Sequence, residues 1–129
     1  MRDTTLQRQR LETIRTSSAL TAEYVAGEVI EINNKSQCTL LVEFTIGSLT
    51  SMTLKFEVSY DGITYYQLPV MVAGTGGDSS PSLETITLSA TANWAFNMYM
   101  HNLYLKVSAI GTGTVTDSLL AIQAVISDM

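Results

Sequence analysis

The chain has 129 residues, of which 46% are hydrophobic and 15% are charged. This length and hydrophobic content predict one compact domain with a buried core and exclude a chain that is disordered throughout. The net charge of −5 is unevenly distributed, because residues 1–22 carry four arginines against two acids and residues 23–129 carry three lysines against ten acids. The acidic body excludes an ordinary basic nucleic-acid-binding domain, since affinity for phosphates requires a basic surface.

The first 22 residues are predicted to form a basic N-terminal arm, because they lack a strand pattern and contain every arginine of the chain. Their apolar residues are too sparse for a convincing amphipathic helix, although Leu11 and Ile14 are spaced to share a face. Such a segment is either a frayed terminus or an arm that becomes ordered on a partner. If it is an arm, arginines suit pairing with carboxylates at an interface. The predicted partner-binding residues are then Arg2, Arg8, Arg10, Leu11, Ile14 and Arg15, and we expect the rest of the chain to fold without the arm.

From residue 23 onward the pattern predicts β-strands. Residues 23–33 are rich in Val and Ile and end at an Asn-Asn turn signal. Residues 38–46 and 52–60 alternate apolar and polar side chains, which predicts one buried and one exposed face as in an antiparallel sheet. The even-numbered residues of both strands, from Cys38 to Ile46 and from Met52 to Tyr60, are predicted to face the core, and Thr53, Lys55 and Glu57 to face solvent.

Asp61 and Gly62 follow directly on the second alternating strand, and another strand pattern begins after them. Asp-Gly between two such runs predicts a hairpin turn, because glycine accepts positive φ and aspartate tolerates it. A metal site at Asp61 would need further ligands at suitable spacing, and the flanking residues supply none. The neighbouring Tyr60, Tyr65 and Tyr66 are open to two interpretations: cross-strand packing, or an exposed tip that binds a protein or a glycan.

The remaining residues add further strands. Residues 73–82 form a glycine- and serine-rich loop, and residues 94–100 alternate with Trp94 and Phe96 toward the core. A corner is predicted at His101 and Asn102, followed by a strand from Leu103, a turn at residues 111–116 and a central final strand. About eight short strands without a convincing helix predict an all-β, antiparallel β-sandwich, Ig-like or jelly-roll-like, over residues 23–129, with residues 1–22 as its arm.

The sequence offers few groups for catalysis. His101 is the only histidine and Cys38 the only cysteine, which excludes a histidine-rich zinc site and an intramolecular disulfide. Cys38 continues an apolar series and is predicted to be a buried small hydrophobe, whereas His101 is predicted to lie in a turn. We therefore predict a protein that is not an enzyme and assign no catalytic residue, cofactor or metal ligand.

Two segments resemble small β-sandwich virion proteins of tailed bacteriophages. They are IGSLTSMTLKFEVSYDGITYYQLP at residues 46–69 and LYLKVSAIGTGTVTDSLLAI at residues 103–122. The resemblance rests on the Gly-Ser-Leu-Thr-Ser connection at residues 47–51, the hairpin at residues 59–65 and the Val-Ser-x-x-Gly-Thr-Gly-Thr turn at residues 107–114. It covers roughly 75 residues of the sandwich and excludes the arm, and it implies a role in the particle without implying catalytic residues.

The leading hypothesis is a non-enzymatic virion structural protein, a capsid decoration or cement protein. Its expected partners are further copies of itself, as a trimer or hexamer, and other virion proteins such as the capsid shell, with no nucleic acid and no membrane. We expect assembly in the cytoplasm of the host bacterium, because the charged N-terminus has no apolar run typical of a signal peptide. The alternatives are a neck, tail or baseplate component, and a carbohydrate- or receptor-binding module that uses the tyrosine hairpin.

Overall fold

The computed structural model describes residues 9–68, 70–73, 79–82 and 86–128. Within these ranges the chain forms ten strands and no helix, so none of the described segments is a helix that could cross a membrane. The all-β prediction is confirmed. The strands are β1 (Gln9–Ser18), β2 (Val25–Ala26), β3 (Ile30–Thr45), β4 (Leu49–Ser59), β5 (Tyr65–Gln67), β6 (Val70–Ala73), β7 (Ser79–Ser82), β8 (Ile86–Leu88), β9 (Ala92–Gly113) and β10 (Leu119–Asp128).

Every strand pair is antiparallel, and the main sheet has the order β1-β10-β3-β9-β4-β5, with β2 added to β9 and β8 added to β4. The strands β6 and β7 form a separate pair, so the prediction that residues 73–82 form a loop is wrong for Ala73 and for residues 79–82. The long strand β9 pairs with β3 over its first half and with β4 over its second half. A first layer therefore contains β1, β10, most of β3 and the start of β9, and a second layer contains the end of β9 with β2, β4, β5 and β8. This arrangement confirms the predicted antiparallel sandwich.

Two predicted strand ends are wrong. The backbone of β3 continues through residues 33 and 34, and that of β9 continues through residues 101 and 102. The pairing shifts by one residue between Ile32 and Lys35, because three steps along β3 correspond to two along β9. An extra residue of this kind bends a strand without ending it. Asn33 and Asn34 of β3 and Asn102 of β9 thus lie where these two continuous strands bend.

The core lies between the two layers and follows the predicted alternation in most places. Cys38, Phe44 and Phe56 are buried as predicted, and the rings of Phe56 and Phe96 lie 6.4 Å apart between centroids. Ile46 and Val58 are only partly buried, and Thr53, Lys55 and Glu57 are half-buried instead of fully exposed. The buried apolar residues are Ile14, Leu20, Ile30, Ile32, Cys38, Leu40, Val42, Phe44, Leu49, Met52, Leu54, Phe56, Leu88, Leu105, Val107, Ala109, Leu120, Ile122, Ala124 and Ile126.

Trp94 is a correction to the predicted core. Its side chain is 37% exposed, although it shares the inward parity of Phe96 and pairs with the buried Val42. The reason is its position as the third residue of β9, at the end of the first layer. Alternation predicts which side of a sheet a residue faces, and it does not predict how far the opposite layer extends.

The prediction that residues 1–22 contain no strand is wrong. β1 pairs with β10 along the edge of the first layer, and Ile14 is 1% exposed. After β1 the chain crosses to the second layer, with Leu20 buried, and the Glu28 amide then donates to the Ile14 carbonyl at 2.7 Å. A Cβ on Gly27 would lie 2.5 Å from that carbonyl, so only glycine permits this approach. Residues 9–22 of the predicted arm therefore lie in the sandwich.

Candidate interaction surfaces

The loop between β4 and β5 is a compact turn held by its own polar groups. The Asp61 Oδ1 atom accepts hydrogen bonds from the amides of Ile63 at 2.9 Å and Thr64 at 3.0 Å, and from the Ser59 hydroxyl at 3.1 Å. The Gly62 amide donates to Ser59 Oγ at 2.7 Å, and Gly62 has a φ of 80°. The prediction that Asp61 and Gly62 form a hairpin turn is confirmed. The hydrogen bonds from Thr64 and Ile63 lower the pKa of Asp61.

Tyr60 and Ile63 of this loop and Tyr66 of β5 are exposed, and we call these three residues the hairpin tip. Their exposed fractions are 82%, 81% and 64%. The prediction that Tyr60 faces the core is wrong, because β4 ends at Ser59 and the alternation ends with it. The loop rests on the sheet through Gly62, where an added Cβ would lie 3.5 Å from the ring of Tyr104. The tip is thus an exposed apolar surface on a well-fixed turn.

Tyr65 behaves differently from its two neighbours. Its ring lies under Lys106, whose Nζ is 4.0 Å from the ring centroid and 4.0 Å from Glu57 Oε1. Lys55 makes the equivalent contacts, at 4.5 Å to the ring of Tyr24 and 4.0 Å to the same Glu57 oxygen. The two interpretations of the tyrosine cluster therefore apply to different residues. Tyr65 packs across the strands, whereas Tyr60 and Tyr66 are exposed.

The predicted partner-binding residues that the structure describes all lie on β1 and differ in exposure. Arg2 and Arg8 lie outside the described residues. Arg10 pairs with Glu12 at 3.0 Å on β1, and Leu11 is 59% exposed. Ile14 is in the core, so its side chain holds β1 to the sandwich and is not available at the surface. Of the four residues of this set that the structure describes, Arg10, Leu11 and Arg15 therefore lie where a partner can reach them.

Arg15 is half-buried and is held by backbone carbonyls. Its Nε donates to Leu120 O at 3.1 Å and its NH2 group donates to Ala19 O at 2.8 Å. Burial lowers the pKa of Arg15, although a guanidinium stays charged in proteins. Among the described residues the ion pairs are Arg10–Glu12, Lys55–Glu57 and Lys106–Glu57, so Arg15 has no carboxylate partner within that part of the chain.

Arg15 lines a groove of about 260 Å³ on the outer face of the first layer, which we call the β1 groove. The groove is smaller than the roughly 300–1,000 Å³ of typical small-molecule pockets, and its size suits one or two side chains. Leu41 and Ala121 supply its apolar part, and Arg15 and Glu43 its charges. The sequence carried one signal for it, since Leu41 is the apolar exception on the polar face of residues 38–46. The complete lining is Thr13, Arg15, Thr16, Ser17, Leu41, Glu43, Ala121 and Gln123.

The groups considered for chemistry are placed as follows in the part of the chain that the structure describes. The described residues contain no group of three His, Cys, Asp or Glu side chains able to hold a metal ion. Cys38 is buried, and this burial raises the pKa of its thiol to about 11. His101 lies within β9, where its backbone pairs with Lys35 of β3, so the predicted corner at this residue is wrong. The side chain of His101 lies outside the described part.

Comparison with known proteins identifies the fold. No family model and no curated protein matches the chain. Among solved structures, the SPBc2 prophage-derived protein YomS is similar at 17% identity, with a TM-score of 0.55 and 95% of both chains covered. A protein of the Bacillus endospore appendages, which form a novel family of disulfide-linked pili, is similar at 11% identity, with a TM-score of 0.54, 95% of this chain and 90% of that chain covered. At these identities the likeness is one of fold alone.

Proposed function

We propose that the chain is a non-enzymatic structural subunit of a tailed-bacteriophage particle and acts as a decoration or cement protein on the capsid. The observation that carries the proposal is the hairpin tip, where Tyr60 and Ile63 are four-fifths exposed on a turn fixed by Asp61. Large apolar side chains held outward on a rigid turn are typical of contact surfaces. The resemblance of residues 46–69 and 103–122 to phage virion sandwiches supplies the biological setting.

The biological origins of the two solved proteins with a similar fold support an assembly role. One solved protein is prophage-derived and the other belongs to a pilus, so both come from settings compatible with such a role. Burying a tyrosine or isoleucine side chain contributes roughly 1.5–3 kcal/mol. A few such contacts give weak binding for one copy, and many copies on one particle give strong binding through avidity.

The main alternative within the particle is a neck, tail or baseplate component. Copy number separates the two roles, because a shell-covering protein is present in hundreds of copies, whereas a component on a tail axis is present in about six or about twelve. We expect quantitative mass spectrometry of purified particles to find hundreds of copies, measured against the major shell protein. A count near six or twelve would replace the decoration role by a neck or tail role. Absence from particles washed free of unbound protein would refute the virion role altogether.

A further inference from the structure

The hairpin tip is suited to a protein partner better than to a glycan. Sugar hydroxyls are recognised by polar side chains placed around an aromatic ring. In this loop the Ser59 hydroxyl and Asp61 Oδ1 are used within the turn, and an aliphatic side chain, Ile63, is among the most exposed. The surface that remains consists of two tyrosine rings, one isoleucine and the charge of Asp61. Such a surface fits an apolar hollow with a cation beside it.

The same chain carries a hollow of that kind. The β1 groove has Leu41 and Ala121 as apolar lining and Arg15 as a half-buried cation without a carboxylate partner in the described part of the chain. Its carboxylate, Glu43, can accept a hydrogen bond from a tyrosine hydroxyl. The hydrogen bonds from Arg15 to Leu120 O and Ala19 O fix the guanidinium before any partner arrives, which lowers the entropic cost of binding.

We propose that the hairpin tip of one copy docks into the β1 groove of a second copy, with Ile63 and Tyr60 against Leu41 and Ala121 and with Asp61 facing Arg15. Asp61 and Arg15 carry opposite charges, and the exposed Asp61 carboxylate accepts its loop hydrogen bonds through Oδ1. Tip and groove are different surfaces of one chain, so the contact forms either a reciprocal two-fold dimer or, head-to-tail, a larger ring or a filament. The inference rests on the proposed assembly role and names the partner of the tip.

The contact is expected to be weak in isolation. One loop in one groove buries less than the roughly 1,600 Å² of a standard interface, so we expect a Kd of about 10 µM to about 1 mM for the purified protein. Sedimentation velocity over this concentration range measures it. We expect the parent chain to form reversible oligomers whose sedimentation coefficient rises with protein concentration. A parent that stays monomeric throughout the range would overturn the proposal.

Two variants separate the two sides of the contact. The tip variant Tyr60→Ser/Ile63→Ser and the groove variant Leu41→Glu are each expected to weaken self-association at least tenfold. Val29→Ser is the matched control, because it removes a side chain that is 43% exposed and belongs to neither surface. Far-UV circular dichroism and thermal unfolding confirm that each variant is folded. A groove variant that does not fold is replaced by Ala121→Gln, which fills the groove from the neighbouring strand.

Mixing provides the decisive measurement. The tip variant retains an intact groove and the groove variant retains an intact tip, so a labelled tip variant is expected to form a one-to-one dimer with the groove variant and nothing larger. A mixture that stays monomeric would overturn the tip-to-groove contact, as would undiminished self-association of the tip variant alone. Incorporation into particles is measured separately. Normal copy number without any self-association would refute the inference and leave the proposed function intact.

Discussion

Two exposed aspartates show how single residues fix the loops of this fold. Asp61 holds the β4–β5 turn, and Asp117 holds the end of the sandwich where the β3–β4 and β9–β10 loops meet. Asp117 Oδ1 accepts a hydrogen bond from the Ser48 amide at 2.8 Å, and its Oδ2 accepts one from the Ser48 hydroxyl at 3.0 Å. These hydrogen bonds lower the pKa of Asp117, as those in the other turn lower the pKa of Asp61.

Acid is therefore expected to destabilise the protein partly through these two carboxylates. A pKa that is lower in the folded chain than in the unfolded chain contributes stability above the unfolded pKa of about 3.9, and this contribution is lost as the pH falls through the folded pKa. We expect the double variant Asp61→Asn/Asp117→Asn to show a smaller fall in the free energy of unfolding between about pH 5 and about pH 2. Urea denaturation at several pH values measures this, with Glu23→Gln as a control at another exposed carboxylate. An unchanged pH dependence would contradict it.

The buried thiol gives a second prediction at this scale. Cys38 is 0% exposed and lies opposite Ile126 of β10. Cys38→Ser is expected to lower the free energy of unfolding by about 1–3 kcal/mol, because the new hydroxyl is buried without a hydrogen-bond partner. Cys38→Ala is the matched control, since it removes the sulfur without adding a polar group. Chemical denaturation of both variants tests the expectation, and a serine variant as stable as the alanine variant would refute it.

At the scale of the elements, the sequence did not reveal β7, which lies within the predicted loop, or β1. The reason is physical: of the residues of β1 only Ile14 is buried, and its neighbours Thr13 and Arg15 are polar. An edge strand that contributes one core side chain lacks the alternation that identified residues 38–46 and 52–60. The hairpin turn at Asp61 was predictable because turn chemistry is local. The bend at residues 33–34 was not, because a bulge depends on the partner strand.

The contribution of β1 can be measured with two neighbouring side chains of similar size. Ile14 is 1% exposed and packs against the crossing segment at Gly27, whereas Leu11 on the same strand is 59% exposed. We expect Ile14→Ala to cost about 2–5 kcal/mol and Leu11→Ala to stay within about 0.5 kcal/mol. Chemical denaturation gives both values. Equal, small costs would mean that β1 is not part of the folded core, and would restore the expectation that the sandwich folds without residues 1–20.

At the scale of the whole molecule, the distribution of charge separates two kinds of cation. The lysines at 55 and 106 share Glu57 and lie on tyrosine rings, so both have partners within this chain. The arginines belong to β1 and the residues before it, and Arg15 lacks an acidic partner in the described ranges. The sequence predicted this asymmetry correctly from composition. It could not show that part of the basic segment is a strand, because its pairing partner is more than 100 residues away.

Residues 1–8, which precede β1, are the part of the predicted arm for which we still propose a partner-binding role. Residues 1–8 carry two arginines against one acid, and the remaining 121 residues have a net charge of −6. β1 begins at Gln9, which pairs with Ser127 at the edge of the first layer, and eight extended residues span at most about 28 Å. Exposed ion pairs contribute only about 0–1 kcal/mol each, so Leu6 is expected to add an apolar contact to those of Arg2 and Arg8.

We therefore expect deletion of residues 1–8 to leave the fold intact and to reduce incorporation into particles. The deletion removes no core residue of the described structure, so far-UV circular dichroism and the unfolding midpoint should match those of the parent. The double variant Arg2→Lys/Arg8→Lys is the matched control, because it keeps the charge and removes the bidentate geometry. If arginine geometry matters, this variant loses part of the incorporation; if only charge matters, it loses none. Undiminished incorporation of the truncated chain would show that residues 1–8 do not cross a subunit boundary.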